Sequence, residues 1–190
     1  MNELNIRRSI RRFTDKPVTE EQIEQLLRAA MQAPSAGNAQ TWEFVVVKNK
    51  NTFVKIMNIH PYATPLQTAD AAIVVCGNTN RERYDGFWVQ DCSAAMQNLL
   101  LKAVELNLGA VWLGIYPIEE RVQGLASLLN LPEGVVPMGI AAIGHPAEGH
   151  ENQFVDRFHP EYIHKEKWYN KSPGLGGRGL NTDTVSCART

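Results

Sequence analysis

Four arginines and a serine lie close together near the start of the 190-residue chain. They are Arg7, Arg8, Ser9, Arg11 and Arg12. Guanidinium groups donate paired hydrogen bonds to phosphate oxygens, and a serine hydroxyl adds a further donor. The segment therefore suits a bound phosphate, although an arginine cluster near a terminus also occurs as a solvated basic surface.

A second candidate element is the loop between Pro34 and Trp42, which is rich in small residues and amides. Gly37 and the small residues around it allow the backbone to approach a flat ligand closely. A stretch of this composition is also typical of an ordinary turn, whose amides satisfy backbone groups. The candidate contact residues are Pro34, Ser35, Gly37, Asn38 and Gln40. Combined with the arginine segment, this loop predicts a phosphorylated ring cofactor.

The elements that must position these motifs alternate between helix and strand. A helix begins after the N-cap Thr19, with Gln22 as its capping-box partner, and ends before Pro34. Aromatic and β-branched runs predict four strands, at Trp42–Val47, Ala71–Cys76, Ala110–Tyr116 and Val135–Ile143. Apolar spacing predicts further helices at Thr52–Asn58, Tyr84–Asn107 and Glu119–Leu129. This alternation indicates a sheet with helices packed on it.

The predicted helix Tyr84–Asn107 is apolar on nearly all of its faces. A helix of this kind is central to a large core or to an oligomer interface, and in a short chain an interface is the more economical explanation. We expect one carboxylate of this helix, that of Asp91, to be buried. Such a group is more often the partner of an arginine or of a helix terminus than a catalytic group.

Composition limits the class of protein. The chain is 44% hydrophobic and 21% charged, with a formal net charge of −1, which argues against a general nucleic-acid binder. Its longest apolar run, Leu108 to Ile118, is too short to cross a bilayer. The three cysteines are widely spaced, and nothing resembles a leader at the N-terminus, which favours a reducing cytoplasm.

Other motifs of catalysis or metal binding are missing from the sequence. It contains no G-x-S-x-G elbow, no Walker phosphate loop and no His-Glu-x-x-His motif. Members of each histidine pair, His145/His150 and His159/His164, would point in different directions on a helix, so no metal site is expected. The stretch from 174 to 179 matches G-x-G-x-x-G without the required strand and helix. We expect a single domain over residues 1–170 and a disordered tail over 171–190.

The order of the motifs carries a family resemblance. Arg-Arg-Ser-x-Arg-x-Phe, then a helix, then Pro-Ser-x-x-Asn-x-Gln-x-Trp resembles the N-terminal third of the nitroreductase family of flavin enzymes. The similarity extends over about residues 3–168. It implies an α+β, nitroreductase-like fold, in which a central mixed β-sheet is flanked by helices and two chains form an interlocked homodimer.

The resemblance also assigns roles to the arginine segment. Arg7, Arg8 and Ser9 match the start of the motif, which binds the phosphate of flavin mononucleotide (FMN). Arg11 matches a basic position that lies toward the phosphate and the pyrimidine edge of the flavin. Arg157, in Asp-Arg-Phe, matches a late arginine that returns to the phosphate.

Two further segments correspond to flavin contacts in the family. Pro34, Ser35, Gly37 and Asn38 match the loop that reaches a flavin from the second subunit, and Gln40 lies in the same motif. The segment Leu113 and Gly114, within Val-Trp-Leu-Gly-Ile, resembles the one whose backbone amides approach the reactive N5 atom. The resemblance therefore implies a site built from both subunits.

Some positions depart from the family pattern. Thr41 replaces the proline that usually precedes the tryptophan, a change expected to matter little. Val155 occupies a place often held by lysine, which predicts weaker phosphate binding. Around Thr64 and Gln67, the sequence lacks the amide and the lysine that some members use at the pyrimidine edge, so these contacts are not carried over.

Structural explanations compete with the ligand-binding ones at several positions. Ser9 could be a helix cap, and Gly114 could mark a strand bulge. The two amides Asn38 and Gln40 could satisfy loop backbone groups. Trp42 and Trp112 fit core or interface packing better than flavin stacking.

The resemblance implies an FMN-dependent oxidoreductase that transfers electrons from NAD(P)H to nitroaromatic, quinone or related acceptors by a ping-pong mechanism. No side chain acts as a nucleophile, because flavin N5 carries the chemistry. The alternative is a flavin-binding or storage module, or a member specialised for dehalogenation or flavin degradation. A large lid between Ile59 and Phe87 would favour that alternative, and this span is short and includes a strand.

Overall fold

The computed structural model describes residues 3–168, which form two compact units that divide between Asp156 and Arg157. The first unit contains the helices and strands of the fold. In chain order they are α1 Glu3–Ile6, α2 Glu20–Ala30, β1 Trp42–Val47, α3 Lys50–Ile59, β2 Ala71–Asn78, α4 Trp88–Glu105, β3 Gly109–Gly114, α5 Glu119–Leu129 and β4 Val135–Gly144.

The four strands form one sheet in the order β1-β2-β4-β3. Each of the three pairings between neighbouring strands is antiparallel. The parallel part of the expected mixed sheet is a single bridge, in which Ser9 pairs with Ala110 at the open edge of β3. The arginine segment is thereby held along an edge of the sheet.

Helices cover both faces of the sheet, with α2 and α4 on one face and α3 and α5 on the other. Strand β2 is buried on both faces: Ile73 and Val75 pack against the α2–α4 layer, and Ala72 and Val74 against the α3–α5 layer. Two layers of helix around one sheet give the α+β architecture expected from the alternation of elements.

The capping box of α2 is present as predicted. The Thr19 hydroxyl accepts a hydrogen bond from the Gln22 N–H at 3.1 Å, and the Gln22 side chain accepts from the Thr19 N–H at 2.9 Å. Strand β1 and helix α5 also have the predicted bounds. Signals that act within a few residues therefore identified these elements correctly.

The predicted helix Tyr84–Asn107 is longer than α4, because both of its ends are turns. The Glu82 carboxylate accepts a hydrogen bond from the Trp88 N–H at 2.9 Å and so caps the helix start. At the other end, Asn107 has a left-handed φ of 57°, and the Leu108 N–H donates to the Ala103 carbonyl at 2.7 Å. This is the backbone pattern that terminates a helix.

Other element bounds shift by a few residues. Helix α3 begins at Lys50 because the Asn49 side chain accepts hydrogen bonds from Asn51 and Thr52 N–H groups. Strand β3 starts at Gly109 and ends at Gly114, before the predicted Tyr116. Strands β2 and β4 each extend beyond their predicted last residue.

The apolar surface of α4 is used mainly within the protomer. Its buried residues, among them Met96 and Leu99, lie between the sheet and α2. An open groove of about 750 Å³ lies between α1, α2 and α4, where Leu4 and Met31 are exposed. Burial in the core of the protomer therefore explains most of the apolar residues of this helix.

The second unit is described over residues 157–168. It contains a single turn of 3₁₀ helix, Pro160–Tyr162, and the His159 and Tyr162 rings stack with centroids 4.8 Å apart. The expected single domain over 1–170 stays a prediction, and the tail 171–190 lies outside the described residues. None of the helices in the described part of the chain is long and apolar enough to cross a membrane.

Candidate functional site

The arginine segment is fixed to the edge of β3 by backbone and core contacts. The Ile10 N–H donates to the Ala110 carbonyl at 3.0 Å, and the Ile10 side chain is buried. A Cβ added to Gly109 would lie 2.6 Å from Ile10 Cγ2, so glycine is required for this close approach. Ser9 takes part in the bridge itself, which excludes the helix-cap explanation, and the Ser9 and Arg11 side chains are exposed.

Arg8 is held from both its backbone and its side chain. Its N–H donates to Asn152 Oδ1 at 2.9 Å, and Asn152 Nδ2 donates to the Leu108 carbonyl at 3.2 Å. The Arg8 guanidinium donates to the carbonyls of Arg7 and Asn5, at the end of α1. Its Nε is buried and has no hydrogen-bond partner among the described residues. Asn152, which ties this segment to the start of β3, was not identified from the sequence because its partners are distant in the chain.

Gly114 ends the same edge strand. The β3–β4 register runs without a break from Gly109 to Gly114, which excludes the alternative explanation of Gly114 as a bulge within this pairing. A register shift between β2 and β4 lies at Val75 and Cys76. Gly114 is exposed, and a Cβ added to it would have no atom within 4 Å. Its carbonyl accepts a hydrogen bond from Arg121 Nη1 at 3.0 Å.

The geometry of β3 relates Gly114 to the arginine segment. Ser9 is opposite Ala110, and Gly114 is four residues further along the strand, a distance of about 13 Å at the usual strand rise. The Leu113 side chain is buried, so only its backbone is available to a ligand. One strand edge therefore carries cations, a hydroxyl and an open glycine backbone.

The Ser35–Gln40 loop has an unusual backbone. Gly37, Asn38 and Gln40 have φ values of 57°, 55° and 49°, all in the left-handed region. The Gln40 N–H donates to Ser35 Oγ at 2.9 Å, and Gln40 Nε2 donates to Asn38 Oδ1 at 3.1 Å. The amides thus pair with each other, whereas the serine satisfies the loop backbone. Pro34, Gly37, Asn38 and Gln40 are exposed.

The buried carboxylate predicted at Asp91 contacts this loop. Asp91 is 4% exposed; its Oδ1 accepts from the Ala36 N–H at 2.9 Å and its Oδ2 from the Thr41 hydroxyl at 3.0 Å. Of the two predicted partners, the structure shows the helix terminus, since Ala36 begins the 3₁₀ turn Ala36–Asn38. Thr41 thus makes a buried contact that the family resemblance did not indicate, because a proline at this position would lack the hydroxyl donor.

The two motifs lie at opposite edges of the sheet. The loop leads directly into β1 at one edge, and the arginine segment borders β3 at the other. Three inter-strand spacings separate these edges, which is about 14 Å. One protomer therefore brings Arg7, Arg8, Ser9, Arg11, Leu113 and Gly114 to one edge strand and keeps Pro34, Ser35, Gly37, Asn38 and Gln40 apart from them.

The remaining candidate positions are less constrained. Arg157 is an exposed residue of the second unit, and its phosphate contact stays a prediction. Thr64 and Gln67 are exposed ends of a 3₁₀ turn. Trp42 is buried as expected, whereas Trp112 is 37% exposed and covers Gly139 of β4.

The described cysteines are poor nucleophiles. Burial raises the pKa of Cys76 and of Cys92 to about 12, and the Cys92 thiol donates to the Cys76 carbonyl at 3.4 Å. Within residues 3–168, no group of three or more His, Cys, Asp or Glu side chains could hold a metal ion. The side chains of the arginine segment beside β3 are cations and hydrogen-bond donors, the types of group that can bind an anion and stabilise developing negative charge.

Known proteins share sequence similarity with this chain over most of its length. The model of the Nitroreductase family matches residues 4–66 and 60–145. A relative from Methanothermobacter thermautotrophicus, named "Putative NADH dehydrogenase/NAD(P)H nitroreductase", is 47% identical over 165 residues, which cover 87% of this chain and 85% of the relative.

Solved structures show the same similarity in three dimensions. One from Clostridium acetobutylicum, named "Putative NADH Oxidase", has a TM-score of 0.85 and 47% identity, covering 88% of this chain and 100% of that chain. An FMN-dependent nitroreductase from Clostridium difficile has a TM-score of 0.80 and 26% identity, covering 88% of this chain and 99% of that chain. The family match, the relative and the shared fold lead to one conclusion: this chain belongs to the nitroreductase family.

Proposed function

We propose that the protein is an FMN-dependent oxidoreductase that uses NAD(P)H to reduce nitroaromatic, quinone or related acceptors by a ping-pong mechanism. The observation that carries the proposal is the edge of β3, where the Arg7–Arg11 segment lies beside the strand that ends in the open backbone of Gly114. Family membership supports it, as does a structural neighbour named for its dependence on FMN.

The residues present fit FMN. A phosphate monoester needs several cationic donors, and Arg7, Arg8 and Ser9 are supplied within one short segment. The buried, unpartnered Nε of Arg8 is a donor suited to an anion. A flat ring needs a surface without side chains, and Gly114 offers open space in front of its backbone.

Each group in the site then has a distinct task. Arg7, Arg8 and Ser9 hold the phosphate. Arg11 places a positive charge toward the pyrimidine edge, where it stabilises negative charge that develops on reduction. When bound, FMN would supply the hydride-transfer chemistry between NAD(P)H and the acceptor. The main chain at Leu113 and Gly114 orients the reactive edge, and no side chain acts as a nucleophile.

A homodimer completes the site. Because the Pro34–Gln40 loop lies across the sheet from the arginine segment, it supports a contact with the flavin of a second subunit. The groove between α1, α2 and α4, with Leu4 and Met31 exposed, is suited to burial against another copy. The two described cysteines are unpaired thiols, which suits a reducing cytoplasm, where we place the enzyme.

An absorption spectrum of the purified protein tests the cofactor directly. We expect a yellow protein with flavin bands, and NAD(P)H oxidation that a nitroaromatic or a quinone stimulates. Colourless protein that takes up no added FMN would overturn the proposal. Bound FMN without acceptor-dependent oxidation of NADH or NADPH would instead identify a flavin-binding module.

The phosphate contact is tested by Arg7→Ala. Loss of one charge-assisted hydrogen bond should weaken FMN binding by about 1.5–3 kcal/mol, measured by titrating apoprotein with FMN and following flavin fluorescence. Arg12→Ala is the matched control, since Arg12 is exposed in the same segment and its removal changes the net charge equally. Equal dissociation constants for wild type and Arg7→Ala would remove Arg7 from the site.

A further inference from the structure

Two of the three buried polar residues in the described chain are bonded to each other beside the Ser35–Thr41 loop. They are Thr41, which is 1% exposed, and Asp91, which is 4% exposed; the third is His60. A buried carboxylate is costly unless hydrogen bonds replace its water. Here each carboxylate oxygen receives one donor, the Ala36 N–H on Oδ1 and the Thr41 hydroxyl on Oδ2. Asp91 therefore holds the loop near its beginning and at its end.

The loop needs such an anchor because of its backbone. Asn38 and Gln40 have left-handed φ values of 55° and 49°, which side chains other than glycine rarely adopt. Conformations of this kind persist only when the surroundings over-determine them. The bonds inside the loop, from Gln40 to Ser35 and to Asn38, shape it without attaching it to the body of the protein.

Few other contacts join the loop to the body. The Thr41 carbonyl accepts a hydrogen bond from the Asn78 N–H at 2.7 Å, which fixes the start of β1. The Arg83 and Tyr84 side chains, both exposed, pack close to Gly37. The Ala36 N–H and the Thr41 hydroxyl both donate hydrogen bonds to Asp91, and the Thr41 side chain also contacts the buried Cys92 thiol.

We propose that Asp91 is a positioning residue: it holds the Ser35–Thr41 loop in the shape in which that loop contacts flavin. Asp91 itself touches no cofactor and acts through the loop. The effect on flavin rests on the function proposed above, whereas the effect on the loop does not. Asp91 sits in the first turn of α4, a rigid element packed against the sheet, so it links the loop to the core.

The anchoring is tested in flavin-free protein by hydrogen–deuterium exchange over residues 35–41. Asp91→Asn keeps the size of the side chain and removes the charge and one acceptor oxygen. We expect the Ala36 amide to exchange at least about 10-fold faster in this variant, because its hydrogen bond is weakened. Unchanged exchange in both Asp91→Asn and Asp91→Ala would overturn the proposal.

Asp70→Asn is the matched control. Asp70 also accepts from a backbone amide, that of Val18 at 2.9 Å, and lies 3.8 Å from Lys48 Nζ, but it has no contact with the loop in the structure. Its substitution should lower the melting temperature without changing exchange over 35–41. Loop exchange that accelerates equally in Asp70→Asn would assign the effect to general destabilisation and overturn the proposal.

The consequence for the cofactor is tested with FMN. Asp91→Asn should raise the FMN dissociation constant about 10-fold and alter the visible circular dichroism of bound flavin, whereas Asp70→Asn should change neither. Thr41→Val, which removes one bond, should give a smaller change, and Thr41→Ser, which keeps the hydroxyl, should resemble wild type. A faster-exchanging loop with unchanged flavin affinity and spectrum would overturn the positioning role. Failure of wild type to bind FMN would overturn the proposed function, and the exchange experiment would still decide whether Asp91 anchors the loop.

Discussion

At the scale of single residues, position 114 shows whether glycine is needed by the fold or by a bound ligand. Its main chain faces open space, and its φ lies outside the left-handed region. An alanine there meets no protein atom within 4 Å. The fold therefore does not need glycine at 114, and any need for it must come from a bound molecule.

We expect Gly114→Ala to leave the free energy of unfolding within about 0.5 kcal/mol of wild type. The same methyl group should weaken FMN binding by about 1–3 kcal/mol, because it would overpack the surface on which the ring lies. Chemical denaturation of the apoprotein and an FMN titration measure the two effects separately. A Gly114→Ala variant that binds FMN as tightly as wild type would place the ring elsewhere.

Gly77→Ala is the contrasting control. A Cβ at this position would lie 2.2 Å from Trp88 Cε3, and the Trp88 ring also packs edge-on against Tyr116 with centroids 4.9 Å apart. This crowding leaves the indole little freedom to move. The substitution should therefore destabilise the fold by about 1–3 kcal/mol in the absence of any ligand.

At the scale of elements, the end of α3 makes stability depend on pH. His60 follows the last helical residue and is 3% exposed, and its Nδ1 accepts a hydrogen bond from the Tyr62 N–H at 3.2 Å. Burial, and then the positive charge of Arg121, lower the pKa of His60 below its usual value. Burial, and then Lys16, lower the pKa of His145 in the same direction.

Below a pH of about 6.5, the unfolded chain binds a proton at His60 that the folded chain resists, so stability falls as the pH is lowered. His60→Asn keeps an acceptor oxygen near the position of Nδ1 and does not titrate. We expect its free energy of unfolding to fall less steeply than that of wild type between pH 7 and pH 5, measured by urea denaturation. His150→Asn, at an exposed histidine, is the control and should follow the wild-type curve. Parallel curves for His60→Asn and wild type would exclude this role.

At the scale of the whole molecule, the two motifs sit on opposite edges of one sheet. If each flavin site takes its arginines from one subunit and its loop from the other, lesions in the two motifs can complement each other. Arg7→Glu damages only the arginine segment. Gly37→Val damages only the loop, because a branched residue at φ 57° is strained and its Cβ would approach Arg83 to 3.0 Å.

Mixed dimers of these two variants should recover activity that neither variant has alone. In a hybrid, one site carries both lesions and the other carries none. With random assortment about half of the dimers are hybrids, so activity should reach about a quarter of the wild-type value. Co-expression of the two variants, followed by NAD(P)H oxidation assays on the unseparated dimers, measures this; hybrids isolated through two affinity tags should reach about half, because one of their two sites is intact. Hybrids as inactive as their parents would show that both motifs serve a site within one chain.

The sequence by itself determined the parts of this protein that depend on nearby residues. The Thr19–Gln22 capping box, strand β1 and helix α5 were predicted correctly, because capping, β-branched composition and helical apolar spacing act over a few residues. The order of the motifs was also enough to identify the family, because residue types and their spacing can be read directly from the sequence.

Only the tertiary structure decided how those parts meet. Three sets of contacts join residues that are far apart in the chain. They are the pairing of Ser9 with Ala110, the hydrogen bonds of Asn152 with Arg8 and Leu108, and the hydrogen bonds of Asp91 with Ala36 and Thr41. The placement of the loop and the arginine segment on opposite sheet edges follows from strand order, which local patterns do not encode. Such contacts depend on the packing of the complete core, and therefore no short stretch of sequence contains the information that specifies them.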